Sequence, residues 1–339
     1  MDPVRIGVVG CGAIGQAHLS VWKDIEGARI GAACDAIMDR ARETAAEYGC
    51  EAFSDVGEMV RSGVIDAVDI CTPSGLHARQ GLVAADAGLH VLCEKPLDVH
   101  ADRARELVEA CERRGLVLSC VLQRRTYRGP RLVTEACRTG RLGRLLSCSA
   151  YIKWWRDQSY YDSSRWRGTW ELDGGVLANQ ALHALDHLIW MAGRVTRVEY
   201  AVAETQAHRM EAEDFLMAVV RFECGARGVI EATTCCNPPL CTRIEVFGTE
   251  GSAAFDDAAV VHFGYGGADH TDEVSEAEAK LGGRAEAMAI SLQGHANIAA
   301  DFVGAIREGR QPIVTGRDAL ASVEALRDIY AAAGVGVAA

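Results

Sequence analysis

The chain of 339 residues is longer than one ordinary small domain and points to two. Its 49% hydrophobic and 24% charged residues are the balance of a globular protein whose core needs neither disulfides nor a structural metal. A formal net charge of −12 disfavours nucleic acid and anionic lipid surfaces as partners and leans toward neutral or cationic small molecules.

In chain order, the N-terminus runs straight into an apolar strand, so neither a signal peptide nor a bilayer-spanning stretch is expected. Strands are predicted over 4–9, 29–34, 67–71, 90–93 and 116–122, with helices over 13–23, 38–48, 77–87 and 102–114 between them. Apolar strands separated by helices of this length imply a parallel, doubly wound sheet, a dinucleotide-binding domain over 1–123. The remainder, 124–339, reads as an α+β domain for substrate binding and oligomerisation. It begins with a helix over 132–138, a strand over 145–151 and a Trp/Tyr/Arg-rich loop to Arg167. One helix is expected over 175–191. Strands over 198–204, 215–222, 228–234, 243–247 and 252–255 suggest an open, mainly antiparallel sheet. A Gly/Ala/Glu-rich segment, 264–284, reads as a loop, and helices over 295–308 and 316–333 close the chain.

The 13 cysteines are odd in number and scattered, with no Cys-x-x-Cys pair. Cys71, Cys93, Cys120 and Cys148 lie in apolar runs and read as reduced thiols of a cytoplasmic protein. Cys235, Cys236 and Cys241 lack zinc spacing, and no metal is expected.

Gly10-Cys11-Gly12-Ala13-Ile14-Gly15 fits G-x-G-x-x-G directly after a strand and at the opening of a helix. The first glycine permits the turn, the second admits a pyrophosphate and the third lets helix and strand pack closely. The helix N-terminus supplies N–H groups to the phosphates. A lone glycine pattern is weak evidence in a chain with 35 glycines, but Asp35 ends the second strand, where a carboxylate binds an adenosine ribose and repels a 2′-phosphate. NAD is therefore the expected cofactor. Arg40, a turn into the next helix, borders this site and is expected to pair with a neighbouring carboxylate.

Further along come Cys71-Thr72-Pro73 with His77, and Gly88-Leu89-His90-Val91-Leu92-Cys93-Glu94-Lys95-Pro96. They are followed by Trp166-Arg167-Gly168, Gly174-Gly175 through Asn179, His183 and Asp186, and Asp301-Phe302 with Ala305-Ile306. In this order, with the glycine loop, the chain resembles the glucose–fructose oxidoreductase / inositol dehydrogenase family over nearly its whole length. The resemblance implies an NAD-dependent dehydrogenase acting on a secondary alcohol of a sugar, cyclitol or glycoside. Thr72, Pro73, His77, Glu94, Gln123, Trp166 and Arg167 would then border the cofactor, with Arg125 near the substrate. Lys95 follows a parallel strand, at the sheet edge where such folds bind ligands, and its ammonium can stabilise developing alkoxide character. Outside this motif a single lysine reads as a solvated charge. His183 is similar to the family's general base, a task that suits an imidazole. Asn179 stands where inositol dehydrogenases carry an aspartate, so it orients substrate in place of a carboxylate–histidine relay. On one helix, Asn179 and His183 would share a face four residues apart, with Asp186 close by in an orienting or structural role. Tyr160 and Tyr161, with Trp154 and Trp155, offer aromatic faces for a sugar ring or form a core patch. The acidic balance suggests an amino sugar or aminoglycoside. The open sheet suggests a homodimer or homotetramer. An NAD-dependent glycosidase working by transient oxidation and a non-catalytic dinucleotide sensor are the competing readings.

Overall fold

A computed structural model describes residues 2–274 and 292–336. The chain divides into two compact units: Met1–Gln123 with Leu292–Val323, and Arg124–Ser291 with Glu324–Ala339. Sequence continuity assigns all of 124–339 to the second domain, whereas the fold returns 292–323 to the first.

The first unit is built on a parallel sheet of β1 (Val4–Val9), β2 (Ala28–Cys34), β3 (Glu51–Phe53), β4 (Ala67–Ile70), β5 (His90–Cys93) and β6 (Leu118–Cys120), in the order β3-β2-β1-β4-β5-β6. Helices α1 (Ala13–Trp22), α2 (Met38–Tyr48), α3 (Val56–Arg61), α4 (His77–Asp86) and α5 (Ala101–Arg114) make the crossovers. The central strands bury successive residues, among them Ile6, Val8, Val68, Ile70, Val91 and Leu92, because helices cover both faces of the sheet. Strand order reverses between β1 and β4. In such sheets this reversal opens the ligand crevice at the carboxyl ends of the strands.

The second unit contains α6 (Arg128–Arg138), β7 (Leu145–Lys153), α7 (Gln158–Asp162), α8 (Val176–Asn179), α9 (Leu182–Ala192), β8 (Val195–Glu204), β9 (Phe215–Phe222), β10 (Arg227–Thr233), β11 (Arg243–Gly248), β12 (Gly251–Asp256), β13 (Ala259–Tyr265), β14 (Ala268–Asp269) and α10 (Thr271–Val274). Its sheet runs β14-β13-β12-β11-β7-β10-β9-β8, antiparallel except where β7 pairs with β10. Alternation is clean on β9: Leu216, Ala218, Val220 and Phe222 are buried, while Met217 is exposed. Of the expected loop 264–284, the part from 264 to 274 completes β13, pairs β14 with it and forms α10. The rest lies outside the described residues.

Two further helices follow: α11 (Gln293–Glu308), in the first unit, and α12 (Gly316–Ala333), whose residues divide between the units after Val323. Among the described residues, no helix is long and apolar enough to cross a membrane.

Candidate active site

In the first unit, the carboxyl ends of β1, β4 and β5 carry the glycine loop, Cys71-Thr72-Pro73 and Glu94-Lys95 to one edge of the sheet. Gly10 has φ +93°, and a Cβ there would meet the Cys71 carbonyl oxygen at 2.7 Å. At Gly15 a Cβ would fall 1.8 Å from the Gly10 oxygen, so only glycine lets α1 start this close to the turn. A Cβ on Gly12, the N-cap of α1, meets nothing within 4 Å. The loop is therefore closed by backbone on its inner side and open at the helix N-terminus, a cradle that fits a pyrophosphate. The carboxylate of Asp35 accepts hydrogen bonds from Ile37 N at 2.9 Å and Cys11 N at 3.0 Å. Arg40 reaches the same carboxylate at 3.3 Å, so the expected partner of this arginine is Asp35 itself.

Pro73 is the N-cap of a short 3-10 turn, and the Thr72 hydroxyl donates to Gln80 Oε1 at 2.6 Å. His77 is buried. Its Nδ1 and Nε2 lie 2.7 Å from the Pro96 and Thr72 carbonyl oxygens respectively, so it joins two edge loops and presents no free ring nitrogen to a cofactor. The Lys95–Pro96 peptide bond is cis. Lys95 N donates to Glu94 Oε2 at 3.0 Å, which makes Glu94 a buried support for the lysine backbone. Gln123, half-buried, opens a 3-10 turn that ends at Thr126.

In the second unit the expected single helix over 175–191 is broken. Gln180 N and Ala181 N both bond to the Val176 oxygen and close α8, and α9 restarts at Leu182. Asn179 thus ends one helix and His183 lies in the first turn of the next, so the two do not share one helical face. Apolar residues continue through the break, which is why periodicity does not reveal it. The Asn179 amide donates to Asp173 Oδ1, and Asp173 Oδ2 accepts from Gly168 N at 2.7 Å. The Asn179 amide thus has a carboxylate partner six residues earlier. Asp173 was not anticipated; its only signal in sequence is its place before Gly174-Gly175.

Two residues expected near substrate are paired with each other. Arg125 forks onto Asp186 at 2.9 and 2.7 Å, both side chains are buried, and the guanidinium lies over Trp190. Tyr160, by contrast, joins a half-exposed cluster. The Arg167 guanidinium stacks over Tyr160 and Trp166, its Nη1 donating to the Tyr160 hydroxyl at 2.6 Å. Arg156 lies over Trp154 and Tyr160. Burial, opposed by Arg167, pushes the Tyr160 hydroxyl upward in pKa. Trp154, half-buried, is tied to Thr242 at 3.1 Å, and Tyr161 is buried with its hydroxyl 2.7 Å from Thr234.

Residues 4–121 match the family described as "Oxidoreductase family, NAD-binding Rossmann fold", and residues 131–254 match the "GFO/IDH/MocA C-terminal domain". The chain belongs to the Gfo/Idh/MocA oxidoreductases. Among solved structures of the family, the WlbA dehydrogenase from Bordetella pertussis, in complex with NADH and UDP-GlcNAcA, is 32% identical with a TM-score of 0.85, over 99% of this chain and 98% of that one. D-apiose dehydrogenase from Paraburkholderia graminis is 27% identical over 96% of this chain and 86% of its own length. Myo-inositol 2-dehydrogenase from Thermotoga maritima is 28% identical over 75% of each chain. This member of the family is an NAD-dependent oxidoreductase, and its relatives do not favour the glycosidase and sensor readings.

Proposed function

We propose that this oxidoreductase oxidises a secondary alcohol of a sugar or cyclitol, or reduces the matching ketone, with Lys95 and His183 handling the proton. The observation that carries the reading is the common sheet edge of the first unit, where an open phosphate cradle, Asp35 and the Glu94-Lys95 pair occur together. NAD, when bound, supplies the hydride acceptor. Lys95 donates a hydrogen bond to the substrate oxygen and stabilises its developing negative charge. His183 takes the hydroxyl proton. Asn179, held by Asp173, orients the ring.

Screening confines a net charge of −12 to weak influence beyond about 8 Å, so nearby groups decide what binds. Among the described residues, Arg156 and Arg167 form no ion pair with a carboxylate, and both lie on the aromatic loop. That favours a neutral or anionic sugar over an aminoglycoside, in keeping with the UDP-GlcNAcA bound by the WlbA relative.

NADH formation on a panel of cyclitols, neutral sugars, UDP-linked sugar acids and aminoglycosides tests the class. Turnover confined to the aminoglycosides would reject it. Lys95→Ala is expected to lower turnover by about 10²–10⁴-fold while NAD affinity holds within about twofold. Full activity in that variant would remove Lys95 from the chemistry. We also place the protein in the cytoplasm, where its free cysteines stay reduced, and propose that it assembles as a dimer or tetramer through the open sheet face.

A further inference from the structure

The interior of the first unit holds ionisable side chains that the reaction leaves unused. His18 on α1, Asp69 on β4, Glu94 just after β5 and His295 on α11 are all buried. His18 stands between two carboxylates, with Nδ1 2.8 Å from Asp69 Oδ2 and Nε2 2.9 Å from Glu94 Oε1. A neutral imidazole has one donor and one acceptor, whereas ionised carboxylates only accept. Both contacts are made together only by a ring that carries both protons. Burial opposes that charge, but Asp69 and Cys71 outweigh it and hold the His18 pKa well above its ordinary value. Burial likewise opposes the Glu94 anion, yet the hydrogen bond from His18 and the nearby His295 ring bring its carboxyl well below the usual range. Trp22 Nε1 adds a 2.6 Å bond to Asp69 Oδ2, and His295 Nε2 lies 3.7 Å from Glu94 Oε1.

A buried ion cluster is costly to desolvate, and apolar residues of similar volume would fill the space at lower cost. Its purpose is indicated by the other Glu94 oxygen, which accepts the Lys95 N–H at 3.0 Å. At its other end, His18 lies one turn into the helix that begins at the glycine loop. A continuous chain of bonds therefore runs from the dinucleotide helix through His18 and Glu94 to the backbone of Lys95. We propose that His18 is a positioning residue for Lys95: clamped between Asp69 and Glu94, it orients the carboxylate that fixes the lysine and couples that lysine to α1. The inference rests on the reading of Lys95 as the group that touches the substrate hydroxyl.

The titratable groups facing His18 are Asp69 and Cys71 from β4 and its end, Glu94 beyond β5 and His295 from α11. The chain has four lysines, Lys23, Lys95, Lys153 and Lys280, so ε-¹³C lysine labelling of the NADH-bound protein gives a spectrum in which Lys95→Arg identifies the Lys95 signal. His18→Gln and Glu94→Gln are each expected to move the Lys95 titration midpoint by about half a unit or more, leaving the other lysines unchanged. The double variant should move it no further than the larger single change, because both act through one chain of contacts. Additive shifts, or a stationary Lys95 signal with a lowered melting temperature, would reduce the cluster to packing and overturn the proposal. If His18→Gln does not fold, His295→Asn keeps both His18 contacts; a smaller movement of the same signal supports the proposal, and none rejects it. His18, Glu94 and His295 are also close enough to share a cation. One equivalent of zinc in the purified protein, lost in His18→Gln, would replace the clamp with a metal site. None of these readouts needs substrate. A Lys95 signal that responds as expected in a protein whose Lys95→Ala variant retains full turnover would uphold the clamp and reject the catalytic reading.

Discussion

Glu213 shows how one buried residue can set a pH limit on the fold. Its Oε1 accepts from Leu177 N at 2.9 Å and from the Tyr330 hydroxyl at 2.8 Å, and the missing Cβ of Gly175 leaves room for its other oxygen. Burial, only partly offset by those hydrogen bonds, pushes the Glu213 carboxyl up to about 8. In the unfolded chain it titrates near about 4.3. The folded state therefore keeps a proton that the unfolded state releases. The stability this contributes is present below about pH 4 and is lost as pH rises toward and through about 8, at up to about 1.4 kcal/mol per pH unit. Glu213→Gln mimics the protonated form. In urea titrations at pH 5 and pH 9, the wild type should lose more stability across this interval than the variant. Equal losses would mean that Glu213 is ionised in the fold. The Arg125–Asp186 fork makes a second case, because removing one partner leaves a buried charge uncompensated. Asp186→Asn should cost about 3–5 kcal/mol in urea unfolding. A loss below about 1 kcal/mol would return the pair to the candidate substrate residues.

At the scale of elements, the glycine loop separates folding from binding. Gly15 faces the Gly10 oxygen at a distance no Cβ can occupy, whereas Gly12 opens onto free space. Gly12→Val should therefore weaken NAD binding by about tenfold or more, measured by NADH fluorescence, with a melting temperature within about 2 °C of wild type. Gly15→Ala should instead destabilise the unit, by more than about 1 kcal/mol in urea. Reversed outcomes would mean that the cradle faces elsewhere. Both roles were legible in the sequence because each glycine in this motif answers a steric demand of a strand–turn–helix. The break between α8 and α9 was not, because Leu177, Ala178, Ala181, Leu182 and Leu185 keep the apolar pattern running through it. Nor was β3, whose Glu51-Ala52-Phe53 is too short at a sheet edge to show alternation. Asp69 carries a signal of its own in the sequence. A charge inside a strand buried on both faces must find partners, and His18 and Trp22 are those partners.

For the whole molecule, the type of each sheet could be read from the pattern, but strand order and the return of 292–323 to the first unit could not. Helical periodicity shows that α11 has an apolar face and does not show which core receives it. Assembly is a matter of the same kind, and here the second unit gives a direct argument. Its sheet buries one face under helices such as α9, while the opposite face presents Tyr200, 60% exposed, Met217, Val229 and Phe247. Tyr200 pairs with Val219, and Val219 with Val229, so these three form one row across β8, β9 and β10. Water in contact with such a row is unfavourable, and a second copy of the sheet would remove it. Val229→Glu puts a carboxylate in the middle of the row, where burial on assembly would be costly, but leaves the covered face of β10 untouched. Light scattering of the wild type is expected to give a dimer or tetramer mass. The variant should shift toward monomer, with a circular dichroism spectrum like that of the wild type. A monomeric wild type, or a variant that keeps the wild-type mass, would mean that the chain does not assemble through this face.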